Sequence, residues 1–186
     1  MGSEGTSPAD RAGASPALRN ASGKSGADTA DKGFDYVIRI LYIVLALAII
    51  SKLFFLTATV SGSSMEPDIH DGDFVITARD ADIEFYDVVL AWCDGLDEYI
   101  IKRVVGLPGD TIQIVDGQLI RNGEAVEEDL DPIESAGIAA EEITLGEDEY
   151  FLMGDNRNNS VDSRILGTFS SDDIRGVMIA RLSTGG

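Results

Sequence analysis

The chain has 186 residues, with 33 acidic side chains against 14 basic ones and a formal net charge of −19. This length allows one globular domain of ordinary size with an additional tail, and it is too short for two large domains. The negative charge disfavours nucleic acid as a partner, because carboxylates and phosphates repel each other. Cys93 is the single cysteine, so no internal disulfide bond can form.

The N-terminal part changes composition abruptly. Residues 1–33 are rich in Gly, Ala, Ser and Asp, which predicts a disordered tail because such a segment cannot bury a core. Residues 34–60 are dominated by large apolar side chains, and a span over residues 36–55 has the length of about 20 residues that a bilayer requires. The long polar segment before it disfavours a cleaved signal peptide, and a buried core helix is the remaining alternative. We predict a transmembrane anchor and lead-in over residues 34–59.

The distribution of basic residues predicts the orientation of this anchor. The basic residues on its N-terminal side include Arg19, Lys24, Lys32 and Arg39. After Lys52, the next basic residue is Arg79. The positive-inside rule then places the N-terminus in the cytoplasm and the residues after Val60 outside the membrane.

From Ser61 onward the pattern predicts strands, since short runs rich in β-branched and aromatic residues recur. The predicted strands are residues 74–77, 88–91, 99–105, 111–115, 118–121, 150–153 and 176–182. Asp116-Gly117 and Asn122-Gly123 each indicate a two-residue hairpin turn. The acidic residues 126–142 predict a loop or a variable insertion. The fold class is therefore mainly β: an irregular antiparallel domain over residues 60–186, preceded by one N-terminal transmembrane helix.

Three polar segments contain candidates for chemistry. The first, residues 61–67, combines three serines with Gly62 and ends at Pro67. A nucleophilic serine needs an exposed hydroxyl and free backbone N–H groups for an oxyanion, and a Gly-containing turn can offer both. A plain linker between anchor and domain explains this segment about as well.

The second segment is residues 100–110, and Lys102 lies in its apolar, strand-like part. One interpretation is a lysine at a strand edge that points to solvent. The other is a lysine in an apolar pocket, where burial disfavours the ammonium form and lowers its pKa. An ordinary lysine, with a pKa of about 10.4, is almost wholly protonated at pH 7, so only the buried one is a usable base.

The third segment, residues 154–164, is dense in side-chain hydrogen-bond donors and acceptors. It is either a solvated Asn-rich loop or a structured polar network, with Asp162 and Arg164 as a possible ion pair. A Ser-His-Asp triad would need His70, the single histidine, which follows Ser64 by only six positions and fits poorly. Lysine is therefore the more plausible base, and Cys93 is predicted to be a small buried apolar residue.

These three segments, in this order behind an apolar segment, resemble bacterial type I signal peptidases. The family's Ser-Met-x-Pro is met by residues 64–67, and Lys-Arg-Val-Val-Gly-Leu-Pro-Gly-Asp by residues 102–110. Gly-Asp-Asn-Arg-x-x-Ser-x-Asp-Ser-Arg is met by residues 154–164, and residues 86–89 resemble a further family motif. The ordered set is far more specific than any single motif, and the resemblance covers residues 54–182.

The resemblance implies a membrane-bound serine endopeptidase that removes N-terminal signal peptides from exported preproteins. Ser64 would attack the scissile carbonyl, and its backbone N–H would donate to the oxyanion. Lys102 would act as the general base, and Ser160 would orient its amine. Asp162 and Arg164 would pair to hold the third motif in place. Together these residues imply a signal peptidase β-domain with a Ser–Lys dyad.

The resemblance also implies the surroundings of this dyad. Met65 and Ile101 would line a pocket for small residues, because family members cleave after Ala-x-Ala-like sequences, while Asp155 and Arg157 would support the third motif. The expected partners are signal peptides and the lipid bilayer, and no cofactor, metal ion or nucleic acid is expected. The implied location is the cell membrane, single-pass, with the catalytic domain outside. The chain departs from some relatives at Gly62, where they carry a serine that donates to the oxyanion.

Two other classes of protein are alternatives. A non-catalytic, membrane-tethered β-domain that binds signal peptides is disfavoured because the dyad residues are present. A self-cleaving repressor with a Ser–Lys site needs a DNA-binding module, whereas here a polar tail and an apolar segment stand in its place.

Overall fold

Ten strands and two helices form the described part of the chain, which is residues 27–183 in this computed structural model, with side chains from residue 33 onward. Among the described residues, one unit ends at residue 45 and a second begins at residue 46. The helices are α1 (Ala27–Phe54) and α2 (Ser163–Leu166). The strands are β1 (Phe55–Thr59), β2 (Phe74–Ala78), β3 (Val88–Cys93), β4 (Glu98–Gly106), β5 (Thr111–Val115), β6 (Gln118–Arg121), β7 (Glu124–Ala125), β8 (Ile143–Thr144), β9 (Phe151–Met153) and β10 (Ile174–Leu182).

Helix α1 contains the predicted membrane segment. Over Gly33–Phe54 it is long and apolar enough to cross a bilayer, and its large apolar side chains are exposed. The helix begins at Ala27, so the prediction of a disordered tail to residue 33 was wrong for residues 27–33. Alanines at 27 and 30 favour helix and extend the apolar helix backwards. The rest of the predicted tail, residues 1–26, lies outside the described residues.

A six-stranded antiparallel sheet carries the two segments predicted to hold the nucleophile and the base. Its strand order is β1-β2-β10-β3-β4-β9. β3 is an apolar run with nearly every residue buried, as expected for a strand covered on both faces. β4 lies between β3 and β9, so it is an interior strand rather than an edge.

Strand β1 was not predicted, because its residues were assigned to the anchor and lead-in. Phe55–Thr59 pairs antiparallel with β2, with Phe55 opposite Ala78. The sheet therefore begins directly after α1, before the domain boundary that the sequence suggested at residue 60. The two threonines of β1 at alternate positions were a weak strand signal inside an otherwise apolar segment.

The second sheet is four-stranded, in the order β7-β6-β5-β8. Both predicted hairpin turns are confirmed: Asp116 and Gly117 connect β5 to β6, and Asn122 and Gly123 connect β6 to β7, all at positive φ. The acidic residues 126–142 are mainly irregular, as predicted, with one 3-10 turn over Gly137–Ala140. They are nevertheless packed, since Ile133 and Ala139 belong to a buried cluster with β5 and β9.

Candidate active site

Lys102 lies in the interior of the six-stranded sheet, with only 4% of its surface exposed. It stands on β4 opposite Val89 of β3, on the face formed by the apolar side chains of Ile100 and Val104. Burial lowers the pKa of its amine, partly opposed by the negative charge of Asp162. The solvent-facing, strand-edge interpretation of this lysine is thereby excluded.

Ser64 lies in the turn that connects β1 to β2, residues 60–73, and Gly62 is part of the same turn. Gly62 has φ +86°, a conformation that glycine adopts without steric cost, and its N–H donates to the Asp71 carboxylate at 2.8 Å. The base of the turn is closed by Val60 N–H donating to the Asp73 carbonyl at 2.8 Å. The turn therefore presents Ser64 from a loop anchored on two strands.

The structure brings the serine and the lysine together across 38 sequence positions. Lys102 Nζ lies 2.8 Å from Ser64 Oγ and 3.0 Å from the Ile101 carbonyl oxygen. The Ser64 backbone N–H makes no hydrogen bond with any described residue, so it is free to donate to an oxyanion. This arrangement has the geometry of a nucleophile with its general base.

The third motif also contacts the turn that carries the candidate nucleophile Ser64, residues 60–73 (the nucleophile turn). Asn156 donates through its backbone N–H to the Ser64 carbonyl at 3.0 Å and through its side chain to the Ser63 carbonyl at 3.1 Å. The Asn159 side chain donates to Ser63 Oγ at 2.9 Å. The segment is therefore a structured polar network and not a solvated loop.

Gly154 packs closely against the nucleophile turn. A Cβ built on Gly154 would lie 2.3 Å from Ser160 Oγ and 2.4 Å from the Ser64 carbonyl oxygen. These distances are far below van der Waals contact, so only glycine fits without displacing its neighbours. Gly154 thus brings Ser160 beside the backbone of the nucleophile.

Ser160 is placed near the dyad but does not hydrogen-bond to Lys102. Its Oγ is buried and has no hydrogen-bond partner among the described residues. The hydroxyl is near enough to Asp162 to help lower its pKa, although the geometry falls short of a hydrogen bond. The expected orienting role of Ser160 therefore stays a prediction.

Asp162 and Arg164 form a buried ion pair. Arg164 donates through Nε and Nη2 to the two carboxylate oxygens, both at 2.8 Å, and Asp162 also accepts from Gly154 N–H at 3.0 Å. Burial by itself raises the pKa of Asp162, but the hydrogen bonds and charge of Arg164 outweigh it and hold that pKa below its ordinary value. The pair ties α2 to the start of the third motif.

A second ion pair links the lysine strand to the third motif. Arg103, adjacent to Lys102, donates to both carboxylate oxygens of Asp155 at 2.6 Å and to the Tyr86 carbonyl at 2.8 Å. Sequence reasoning assigned Asp155 only a general supporting role and missed its partner. The alternation of side chains along β4 could have indicated this contact. Arg103 follows the buried Lys102, so its side chain points to the opposite face of the strand.

A cavity of 480 Å³ opens beside the dyad, and Ser64 and Lys102 both line it. Met65 and Ile101, the residues expected to bind substrate, line it as well. Met65 is buried in an apolar cluster against which Ile101 packs. The cavity also has an exposed rim residue, Tyr99, at the start of β4.

The other reactive side chains lie apart from this cavity. His70 is exposed, and Cys93 is buried in the core cluster of β3 and β4, as predicted. Among residues 33–183, no group of three or more His, Cys, Asp or Glu side chains is placed to hold a metal ion.

Comparisons with known proteins identify the family of this chain. Residues 34–183 match the family described as signal peptidase, peptidase S26. The chain is 34% identical over 154 residues to signal peptidase I of Bacillus amyloliquefaciens, covering 76% of this chain and 83% of that protein. It is 29% identical over 180 residues to signal peptidase I of Streptococcus pneumoniae serotype 4, covering 75% and 88%. A crystal structure of a signal peptidase I from Enterococcus faecalis V583 aligns with 25% identity and a TM-score of 0.45, over 53% of this chain and 98% of that one.

The chain belongs to the signal peptidase family, peptidase S26, because the family match covers most of its length. Its enzyme class follows from that membership and from the relatives: it is a serine endopeptidase, a hydrolase of the signal peptidase I type. The same findings support the cleavage of signal peptides as its reaction.

Proposed function

We propose that this protein is a membrane-anchored signal peptidase I in which Ser64 is the nucleophile and Lys102 is the general base. The observation that carries the proposal is the 2.8 Å contact between Lys102 Nζ and Ser64 Oγ in a buried site. A lysine whose pKa is lowered by burial is more often neutral near pH 7, and only the neutral amine can accept a proton.

The proposed reaction has two halves. Ser64 Oγ attacks the scissile carbonyl carbon while its proton passes to Lys102 Nζ, and the Ser64 backbone N–H donates to the oxyanion. The Lys102 ammonium then gives that proton to the leaving amine, which forms the acyl-enzyme and releases one product. A water molecule then attacks the ester while Lys102 accepts its proton. Lys102 returns that proton to Ser64 Oγ as the second product leaves, which regenerates both residues.

Five further residues are proposed to support the dyad or to bind the substrate. Ser160, with its buried hydroxyl beside Gly154, would orient the lysine amine as the tetrahedral intermediate forms. Asp162 and Arg164 would keep the third motif in position through their buried pair. Met65 and Ile101 would receive the small side chains that precede the cleavage site. None of these roles requires a cofactor.

The proposed substrate is a preprotein whose signal peptide is held in the bilayer. α1 would anchor the enzyme in the cell membrane by a single pass, with residues 1–33 in the cytoplasm and the peptidase domain outside. The domain would then begin at β1 or at residue 60, and a shared bilayer would raise the effective concentration of substrate. The signal peptide and the lipid bilayer are accordingly its proposed partners, with no role for nucleic acid.

The proposal is tested by cleavage of a preprotein with an Ala-x-Ala site by the full chain in detergent. We expect Ser64→Ala and Lys102→Ala to reduce cleavage by at least about 1000-fold, the scale reported for loss of a nucleophile or base. Lys102→Arg should be equally inactive, because a guanidinium stays protonated. Ser183→Ala, which removes an exposed hydroxyl outside the cavity, should cleave normally. Cleavage at the normal rate by folded Ser64→Ala would disprove the dyad.

A further inference from the structure

Glu128 makes an unusually enclosed ion pair from within the acidic residues 126–142. Its carboxylate accepts from Arg157 Nη1 and Nη2, both at 2.5 Å. The Arg157 side chain is fully buried, and that of Glu128 is 10% exposed. The acidic segment therefore reaches into the third motif at the residue that follows Asn156.

Tyr86 completes the enclosure of this carboxylate. Its hydroxyl donates to Glu128 Oε1. Burial and the hydrogen bond to Glu128 raise the pKa of Tyr86 well above its ordinary value, so the phenol remains a donor throughout the physiological range. Glu128 is thus held by one neutral and one charged donor, from two different parts of the chain.

The remainder of the acidic segment follows the same side of the third motif. The Asn158 side chain donates to the Pro132 carbonyl at 3.0 Å and accepts from Glu134 N–H at 2.9 Å. Arg164 Nη1 donates to the Ser135 carbonyl at 3.2 Å. The third motif therefore contacts both the acidic segment and the nucleophile turn.

We infer that Glu128 is a positioning residue for Ser64, acting through Arg157 and Asn156 without touching the substrate. Arg157 is adjacent to Asn156, whose backbone and side chain hold the Ser64 and Ser63 carbonyls. Loss of the Glu128 carboxylate would leave a buried guanidinium without its counter-charge, and the loop that carries it would shift. A displacement of about 1 Å at a reacting group can cost about 100-fold in rate.

This inference rests on the proposed role of Ser64 and makes a prediction that a purely stabilising ion pair does not. A stabilising pair alone changes how much enzyme is folded, and the folded enzyme keeps its kcat. A positioning pair changes kcat for enzyme that is fully folded, with little change in KM because the cavity at Met65 and Ile101 is untouched.

The test compares Glu128→Gln with Glu127→Gln in the full chain, in detergent. Glu127 is the exposed neighbour with the same charge, so its variant controls for charge and for the detergent. At a temperature where circular dichroism shows both variants folded, we expect kcat of Glu128→Gln to fall about tenfold and KM to change less than about twofold. Equal kcat for the two variants would overturn the inference.

The path through Arg157 is tested by a double-variant cycle. If Glu128 acts through Arg157, Glu128→Gln/Arg157→Gln should lose no more kcat than Arg157→Gln alone. Losses that multiply would mean that Glu128 acts by another route, against the inference.

If Glu128→Gln does not fold, Tyr86→Phe keeps the ion pair and removes one donor. It should lower kcat about twofold at constant KM, and an unchanged kcat would count against the inference.

Ser64→Ala in the same assay separates the two proposals. If Ser64→Ala is inactive and Glu128→Gln is as fast as Glu127→Gln, the dyad stands and the positioning role fails. If Ser64→Ala cleaves normally, the dyad itself fails whatever the Glu128 variants do.

Discussion

The two halves of the site are held in different ways. Lys102 lies within β4, which is paired on both sides, and its burial follows from the sheet itself. Ser64 lies in a turn, and its position depends on side-chain hydrogen bonds and a close contact with the third motif. A base needs a dry environment to lower its pKa, whereas a nucleophile needs access to substrate. A buried position in a paired strand therefore suits the lysine, and an accessible turn that is fixed by contacts with another segment suits the serine.

Removing the lysine amine should have the largest effect and should act on activity and stability in opposite directions. In Lys102→Met we expect cleavage to fall at least about 1000-fold while the free energy of unfolding at neutral pH rises, because folding no longer has to bury or deprotonate the ammonium. Cleavage assays and urea unfolding measure the two effects. A variant that is inactive and also less stable would show that Lys102 contributes to the fold as well.

The stability gained in Lys102→Met should decrease as the pH rises. Because burial lowers the pKa of Lys102, the unfolded state binds more protons between the folded and unfolded pKa values. The cost of burying the lysine is complete below its folded pKa and disappears above its unfolded pKa of about 10.4. The stability difference between Lys102→Met and the wild type should therefore shrink as pH approaches that value.

Crowding the contact between the third motif and the nucleophile turn should have the next largest effect. In Gly154→Ala the new Cβ meets Ser160 Oγ and the Ser64 carbonyl, so we expect kcat to fall about 10- to 100-fold and stability to fall by about 1–3 kcal/mol. Gly95→Ala is the matched control, because its Cβ would make only ordinary contacts, the nearest at 3.5 Å. Equal activity of the two variants would show that the turn does not depend on this contact.

The pH dependence of cleavage should report the environment of the lysine. With Lys102 as the base, kcat/KM should rise with pH and reach half its maximum well below the pKa of about 10.4 of an ordinary lysine. A pH–rate profile of the full chain measures this rise in kcat/KM, and unfolding is followed at each pH as the control. A rate that still rises above pH 10 would mean that the lysine is hydrated in the working enzyme.

The smallest effect is expected at Gly62, where the constraint is conformational and not steric. Nothing lies within 4 Å of a Cβ built there, but its φ of +86° is unfavourable for alanine. Gly62→Ala should cost about 1 kcal/mol of stability and leave the enzyme largely active. Thermal unfolding and a cleavage assay test this. A loss of activity as large as that of Gly154→Ala would show that the turn is more rigidly coupled to catalysis than the structure indicates.

Sequence reasoning predicted more of the local structure around Lys102 than of the local structure around Ser64. The apolar run around Lys102 predicted a strand, because strand periodicity is a local signal, but it left open whether the amine is buried or faces solvent. The turn around Ser64 was predicted only through the family resemblance, since a Ser/Gly segment by itself also fits a linker. Its partners Asn156 and Gly154 lie about 90 positions away, and no local pattern indicates such a contact.

Composition and local pattern determined the apolar helix, most strands, both Asx-Gly hairpins and the family. These features depend on residues close together in the chain, where propensity and periodicity act. The tertiary structure alone decided which charges meet: Arg103 with Asp155 and Glu128 with Arg157. It also decided that Phe55–Thr59 is a strand, because β1 exists only by pairing with β2. Ion pairs and edge strands are specified by their partners, and those partners become neighbours only when the chain has folded.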